Sequence, residues 1–370
     1  DLGVIGEGDQ TMLEIMQHFE KTGEVKSEKI DGIVYHSGNG VKFTSPRKLI
    51  EPLDYIPILD RSFISPKYYE PIDHWTGERY ITSSTLTSRG CMYKCRFCAS
   101  AAFWQTIRFH SAEHVVDEFE ILNKKYKVQS LFIWDDFFTA HRKRLFEILE
   151  LMKQRDLIGR MKLQVQSRVD VQKDVYKILK EMGVFSVNFG LESGSDKTLG
   201  FLKKNTSTVQ QNKEAVKAAF EIGLNPTGSL IFANPGEKIE DMRETLDFVD
   251  WLHQAGAQFI GFYSATPYPK TDLWEIAKER GVVSDDMDFS KLEQADLNNP
   301  ILLDDDVNRY EYKKLIEKLM EKKVKYFDIH KKKWRHVPLS KKVKKAMKEP
   351  KVLMTILRHN PKLLLELLKH

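Results

Sequence analysis

From about residue 80 onward, apolar and polar positions switch between two periods. ITSSTLTS (81–88), SLFIWDD (130–136), KLQVQSR (162–168), FSVNFGLE (185–192), PTGSLIF (226–232) and AQFIGFYS (257–264) are short runs rich in β-branched and aromatic residues and read as strands. Between them, AEHVVDEFEILNKKY, RKRLFEILELMKQRD, DVYKILKEM, VQQNKEAVKAAFEIG and IEDMRETLDFVDWLHQAG repeat apolar residues at spacings of three and four, the period of a helix with one buried face. Strands separated by helices predict parallel pairing with right-handed crossovers. Six such units make a partial barrel or a doubly wound sheet, and in either case ligands bind at the carboxyl ends of the strands.

The flanks follow other patterns. DLGVIGEGDQTMLEIMQHFE (1–20) predicts a short strand, a Gly-rich turn and an amphipathic helix, the last strand-helix unit of an α/β domain. Residues 21–80 are expected to be a connector. GIVYHS and GVKFTS on either side of Ser37-Gly38-Asn39-Gly40 predict a hairpin within it. The repeat ends near residue 300, so the barrel is expected over 81–300. Residues 301–370 read as a basic helical region.

Composition narrows the class. With 370 residues, 41% hydrophobic and 30% charged, the chain can bury a full core. No apolar run approaches the roughly 20 residues that span a bilayer, and the start has no basic-then-apolar leader. The net charge of +5 is carried mainly by lysines after Tyr312, as in KKKWRH (331–336) and KKVKKAMK (341–348). Such an end, followed by apolar Leu363, Leu364, Leu365, Leu367 and Leu368, suits a helical cap, an anionic membrane surface or, less well, nucleic acid.

The three cysteines all fall in TSRGCMYKCRFCAS (87–100), at the end of the first expected strand. Clustered thiols are not a disulfide framework and point to a reducing, cytoplasmic setting. A structural zinc site wants four ligands, and His110 is a candidate for the fourth. A four-iron cluster usually takes four thiolates, so with Cys91, Cys95 and Cys98 one iron stays open, as a catalytic cluster requires. A zinc- or cluster-binding redox sensor without catalysis is the rival reading.

Cys-x-x-x-Cys-x-x-Cys, with Phe97 before the last cysteine, resembles the signature of the radical S-adenosylmethionine (radical SAM) superfamily. The resemblance implies a partial (β/α)6 TIM-like barrel and a four-iron four-sulfur cluster whose open iron chelates SAM. It implies reductive cleavage of SAM to methionine and a 5′-deoxyadenosyl radical, which takes hydrogen from an unactivated carbon. Other strand ends match by position. Asp135 and Asp136 stand where the family holds the SAM amino group, the rival being a helix start. Arg168 is a candidate for the methionyl carboxylate, the rival being a salt bridge. In GLESGS, Glu192 and Ser193 resemble SAM-binding residues. Asn234-Pro235-Gly236-Glu237 resembles the adenine segment, with Ala233 where the family has Gly, and Phe97 would flank the same ring. Thr266-Pro267-Tyr268-Pro269-Lys270-Thr271 has Lys270 where the subgroup has Gly.

GLESGS, NPGE and TPYPKT together resemble the cobalamin-binding subgroup and its methylthiotransferase relatives. Gly6-Glu7-Gly8-Asp9 and the connector resemble the end of that subgroup's Rossmann-like cobalamin domain and its bridge. The resemblance covers residues 1 to about 280. It implies cobalamin, with its site mostly outside this chain, and methyl transfer to a small-molecule or lipid substrate; methylthiotransferase-like or ring-forming chemistry is the alternative. It also implies an electron donor such as flavodoxin or ferredoxin, and a cytoplasmic enzyme that can sit at a membrane periphery. The absence of any cysteine after Cys98 argues against auxiliary clusters downstream.

Overall fold

The computed structural model describes residues 2–25, 27–38, 40–64, 80–104, 106–257, 259–321, 325–328 and 333–336. The chain divides into two compact units, Asp1–Ser167 with Lys177–Phe185, and Arg168–Tyr176 with Ser186–His370.

The first unit opens with β1 (Leu2–Val4) and α1 (Gly8–Thr22). β1 pairs antiparallel with β2 (Ile33–Ser37), which forms the expected hairpin with β3 (Gly40–Phe43). The strand expected to end a separate domain is thus joined to the connector's hairpin. Thr11 and Ile15 bury one side of α1, while Met12, Leu13, Met16 and Phe19 are exposed. There follow β4 (Thr82–Thr85), β5 (Ser88–Arg89), α2 (Ala99–Trp104), β6 (Arg108–Phe109), α3 (Ala112–Lys124), β7 (Ser130–Ile133), α4 (Arg142–Gln154) and β8 (Lys162–Ser167). Ser111 starts α3 by accepting a hydrogen bond from the His114 amide.

After α5 (Lys173–Glu181), the second unit contains most of β9 (Val184–Glu192), then α6 (Asp196–Lys203), α7 (Val209–Glu221), β10 (Asn225–Phe232), α8 (Ile239–Gln254), β11 (Phe259–Ser264), α9 (Asp272–Glu279) and α10 (Arg309–Glu321). Thr208 and Gln211 close a reciprocal capping box at the start of α7.

The six strands form one sheet in the order β11-β10-β9-β8-β7-β4, which follows the chain. The pairs β4–β7, β7–β8, β9–β10 and β10–β11 are parallel. This is the topology of a partial (β/α)6 TIM-like barrel. Period-two alternation selects the buried face: Leu131 and Ile133 on β7, Leu163 and Val165 on β8, and Val187, Phe189 and Leu191 on β9 are all buried. Each such side chain contributes about 1.5–3 kcal/mol on leaving water.

Two expectations are corrected. ITSSTLTS is not one strand; it breaks after Thr85, where Thr87 turns its amide and hydroxyl to a buried carboxylate. The basic region is not helical throughout, because β12 (Lys325–Asp328) and β13 (Lys333–His336) pair antiparallel after α10. Tyr326, Phe327 and Trp334 give those segments strand propensity. The KKVKKAMK stretch and the leucine-rich end lie outside the described residues.

Candidate cofactor site

The cysteine loop belongs to the first unit. Its neck is the two-residue ladder of β5 and β6, with Ser88 opposite Phe109 and Arg89 opposite Arg108. Gly90 follows at φ 93°, and a Cβ there would lie 2.0 Å from the Thr106 carbonyl oxygen, so only glycine fits. The loop carries Cys91, Cys95 and Cys98 as half-buried thiols with no disulfide among them. The Cys98 amide donates to the Cys95 carbonyl at 3.2 Å, folding the last Cys-x-x-Cys into a turn. Burial pushes the Cys98 thiol up to about 11, against the pull of the Ser100 and Ala101 amides and helped by the charges of Cys95 and Asp136. A thiolate in that place needs a metal to replace its proton.

Asp135 and Asp136, adjacent in sequence, have different roles. Asp135 is fully buried. It accepts from the Thr87 amide, the Thr87 hydroxyl and the Ser88 hydroxyl, each at 2.6 Å. Burial raises its pKa against those hydrogen bonds and the nearby Arg144. Both its oxygens are engaged in fixing the segment that enters the cysteine loop. Asp136 is exposed and accepts from Ser100, just after Cys98. Phe97 is half-buried, and Tyr93 meets Phe137 edge-on at 5.9 Å. Phe132 and Trp134 stack at 5.4 Å on the sheet face opposite Leu131 and Ile133, with Trp134 half exposed.

His110, the candidate fourth zinc ligand, instead places Nδ1 3.0 Å from Asp54 Oδ1 and stacks on His114 at 4.2 Å and 14°. His114 Nδ1 lies 3.9 Å from the same oxygen, and the ligand atoms of Asp54, His110 and His114 fall within 4.8 Å of one another. Desolvation and the neighbouring His114 hold the His110 pKa low.

The remaining expected residues belong to the second unit. Arg168 donates to both oxygens of Asp170, at 2.9 and 3.1 Å, and to the Thr206 hydroxyl at 3.1 Å. The rival for Arg168 is a surface salt bridge; the pair with Asp170 is present but largely buried, with side chains 9% and 14% exposed. Glu192 closes β9 at φ 60°, buried, with Oε1 3.6 Å from Lys203 Nζ. Burial raises its pKa, opposed by Lys203 and Arg168. Ser193 is fully buried: its hydroxyl lies 3.0 Å from that of Thr245 and accepts from the Ser195 amide. It therefore anchors the turn to α8. Gly194 makes that approach possible, because a Cβ there would fall 2.7 Å from Thr245 Cα.

Asn234 is buried, and its amide and side-chain Nδ2 both donate to Glu237 Oε2 at 3.0 Å. Glu237 is itself buried, with Oε1 unpartnered among the described atoms, and burial lifts its pKa to about 8. It is therefore protonated near neutrality, and the loop is held by a neutral acid. Ala233 and Lys270, the two departures from the family pattern, both have positive φ, 60° and 67°. Glycine suits that region best.

Arg144 and Lys203 were not singled out from sequence, and Glu237 entered only as the last residue of the adenine segment. Arg144 is buried and donates to the His110 and Thr87 carbonyls at 2.8 and 2.7 Å.

Residues 85–249 match the family model of the Radical SAM superfamily. The chain belongs to the radical SAM superfamily. That domain starts at the end of β4 and ends within α8, taking in every residue discussed above from the cysteine loop to Glu237. Among curated relatives, the chain is 36% identical over 279 residues to an uncharacterized methyltransferase of Pyrococcus horikoshii, an alignment covering 75% of this chain and 58% of that one. It is 28% identical over 338 residues to the anaerobic magnesium-protoporphyrin IX monomethyl ester cyclase of Rubrivivax gelatinosus, covering 88% and 56%. The chain therefore spans a little over half the length of these relatives. Among solved structures, the radical SAM methyltransferase TsrM of Kitasatospora setae, with cobalamin and a [4Fe-4S] cluster bound, superposes with a TM-score of 0.64. The identity is 21%, covering 90% of this chain and 62% of that one, so the likeness is one of fold.

Proposed function

We propose that this radical SAM domain holds a four-iron four-sulfur cluster through Cys91, Cys95 and Cys98 and serves a SAM-cleaving methyltransferase. The carrying observation is the loop itself: three half-buried thiols, and no fourth cysteine in the chain, at the carboxyl end of the first barrel strand behind a closed β5–β6 neck. That donor set fits a cluster with one iron left for an outside ligand. When bound, the cluster supplies the electron that cleaves SAM.

The chain's own residues bind and orient. Asp136, at the cysteine loop, is the carboxylate for the SAM ammonium. Arg168 has the fork geometry for a carboxylate, with Asp170 holding its Nε and one Nη. Glu192, beside Lys203, receives the ribose. Phe97 and the backbone around Asn234 flank the adenine. The half-exposed Trp134, stacked on Phe132, offers an apolar shelf for a hydrophobic substrate.

Cobalamin dependence is inferred from the fold shared with TsrM, which was solved with cobalamin. No residue of this chain is assigned to it. An electron donor of the flavodoxin or ferredoxin kind supplies the reducing equivalent. Among the described residues no helix is long and apolar enough to cross a membrane. Contact with a membrane would come through the basic end, and loss of liposome flotation on removing residues 330–370 would support it; unchanged flotation would sink it.

The central test is anaerobic reconstitution followed by SAM and a reductant. 5′-Deoxyadenosine is expected, and its absence from an iron-loaded protein would falsify the reading.

A further inference from the structure

In the β5–β6 neck, Arg89 and Arg108 stand directly opposite each other. Like charges in that position repel, and both side chains are largely buried, 15% and 3% exposed. The neck of the cysteine loop would splay without an anion between them. Glu7 supplies it from the Gly6-Glu7-Gly8 turn between β1 and α1. Arg89 Nη1 and Arg108 Nη2 donate to Glu7 Oε1 at 2.8 and 3.0 Å, and Arg108 Nη1 and the Ile50 amide donate to Oε2 at 3.0 and 2.7 Å. The carboxylate is 2% exposed, and all four donors point at it. Asp9 adds a second acid on Arg89, at 2.8 and 3.2 Å. Trp104, at the end of the helix that follows Cys98, lies 5.7 Å from the Arg89 guanidinium and 5.6 Å from that of Arg108. One carboxylate therefore ties together both arms of the loop, with Trp104 packed against the pair.

The ordinary role for an acid here would be to cap its own helix. Glu7 occupies the N-cap position of α1, yet its side chain makes no cap hydrogen bond; it turns instead to the loop.

We propose that Glu7 is a positioning residue for the cysteine loop, an anion lent by the N-terminal turn that holds the loop's two arginine arms closed around the cluster-binding cysteines. The naming of the cluster rests on the function proposed above; the clamp itself does not.

The test uses the full chain and begins without iron. Hydrogen exchange is compared between wild type, Glu7→Gln, which keeps shape but not charge, and Glu14→Gln. Glu14 pairs with Arg47 from the same helix but does not touch the loop, so it reports on α1 docking alone. With Glu7→Gln, peptides within 89–108 should exchange about 10-fold faster while those of β7 and α4 stay unchanged, and Glu14→Gln should leave 89–108 at the wild-type rate. Combining Glu7→Gln with Arg108→Gln removes anion and cation together and should restore part of the protection. After anaerobic reconstitution, Glu7→Gln should release iron to a chelator several-fold faster than wild type, with an altered paramagnetic signal of the reduced cluster.

Unchanged protection of 89–108 in Glu7→Gln overturns the clamp. So does a uniform rise across the whole unit, which would make Glu7 a general fold contact. If Glu7→Gln is insoluble, Arg89→Gln opens the same neck from one arm and is read the same way. Failure of the wild type to take up iron would count against the proposed function while leaving the exchange result to decide the clamp.

Discussion

In the first unit the three thiols sit on a loop with Met92 and Lys94 exposed between them, and what fixes the loop lies at its base: the β5–β6 neck, Gly90, Asp135 and Glu7. In the second unit the matching residues, Glu192, Ser193 and Asn234, are buried and bonded to their own neighbours. One half leaves its reactive groups partly open and anchors them from behind; the other has its polar groups already built into the protein. Thiols that await a metal gain their strongest bonds only on binding it, so the loop needs positioning more than satisfaction. Buried polar groups without partners cost about 1–3 kcal/mol each, a cost the second half avoids at Glu192 and Ser193 but still carries at Asn234 Oδ1 and Glu237 Oε1, which have no partner among the described atoms.

The largest expected effect separates the two halves outright. Cys95→Ala should abolish iron uptake and drop 5′-deoxyadenosine formation to background. Glu192→Gln should keep full iron, measured per chain, while raising the KM for SAM about 10-fold, worth about 1.4 kcal/mol. If Glu192→Gln loses iron as Cys95→Ala does, the division of labour is wrong.

Next in size is a pH effect confined to the second half. The folded pKa of Glu237 is about 8, against 4.5 ordinarily. Between those values the folded state holds a proton that the unfolded chain has lost. The contribution is therefore fully present below pH 4.5 and is lost as pH rises toward 8, at up to about 1.4 kcal/mol per unit. Glu237→Gln, which mimics the neutral acid, should flatten that slope in melting temperatures taken from pH 5 to 8. Parallel profiles for wild type and variant would mean that Glu237 is ionised in the fold.

Gly90 and Gly194 offer a closer comparison, since each admits a backbone approach that a Cβ would block. Gly194→Ala should destabilise by about 1–3 kcal/mol through overpacking against α8, without touching iron content. Gly90→Ala should cost at least as much, because its φ of 93° adds strain, and should impair cluster loading as well. Equal iron in the two variants would show that the neck does not govern the cysteines.

Much of this was legible in the chain. The six strands were, because their short apolar runs recur between amphipathic helices, although the first was drawn too long past Thr85; so were the cysteines, whose spacing is local. What escaped depended on distance or on crowding. Asp135 and Asp136 look equivalent in sequence, but only the first meets Thr87 and Ser88 from another strand end. Glu7 was visible as part of a motif, while its partners Arg89 and Arg108 lie 82 and 101 residues away. Lys203 reads as a solvated helix residue. It is buried with its ammonium donating to the Gly190 carbonyl and lying beside Glu192 Oε1, a carboxylate that a Cβ at Gly190 would crowd at 2.4 Å. The length of the basic helical region was overread, since lysine periodicity there does not distinguish a helix from the β12–β13 hairpin.

The smallest expected effect concerns the two places where the chain departs from the family pattern, Ala233 and Lys270. Both adopt the left-handed backbone that glycine takes without a Cβ clash. Lys270 is exposed, so Lys270→Gly relieves strain and gives up little packing; against the entropy of a freer unfolded chain, a net gain of about 0.5 kcal/mol is expected. Ala233 is fully buried, and its methyl is worth about 0.8 kcal/mol in place, so Ala233→Gly should come out near neutral. Denaturant midpoints of the two variants resolve the difference. If both substitutions destabilise, the positive φ values are better supported by their surroundings than the family's glycines suggest, and the second half is as tightly over-determined at its turns as it is along its buried acids.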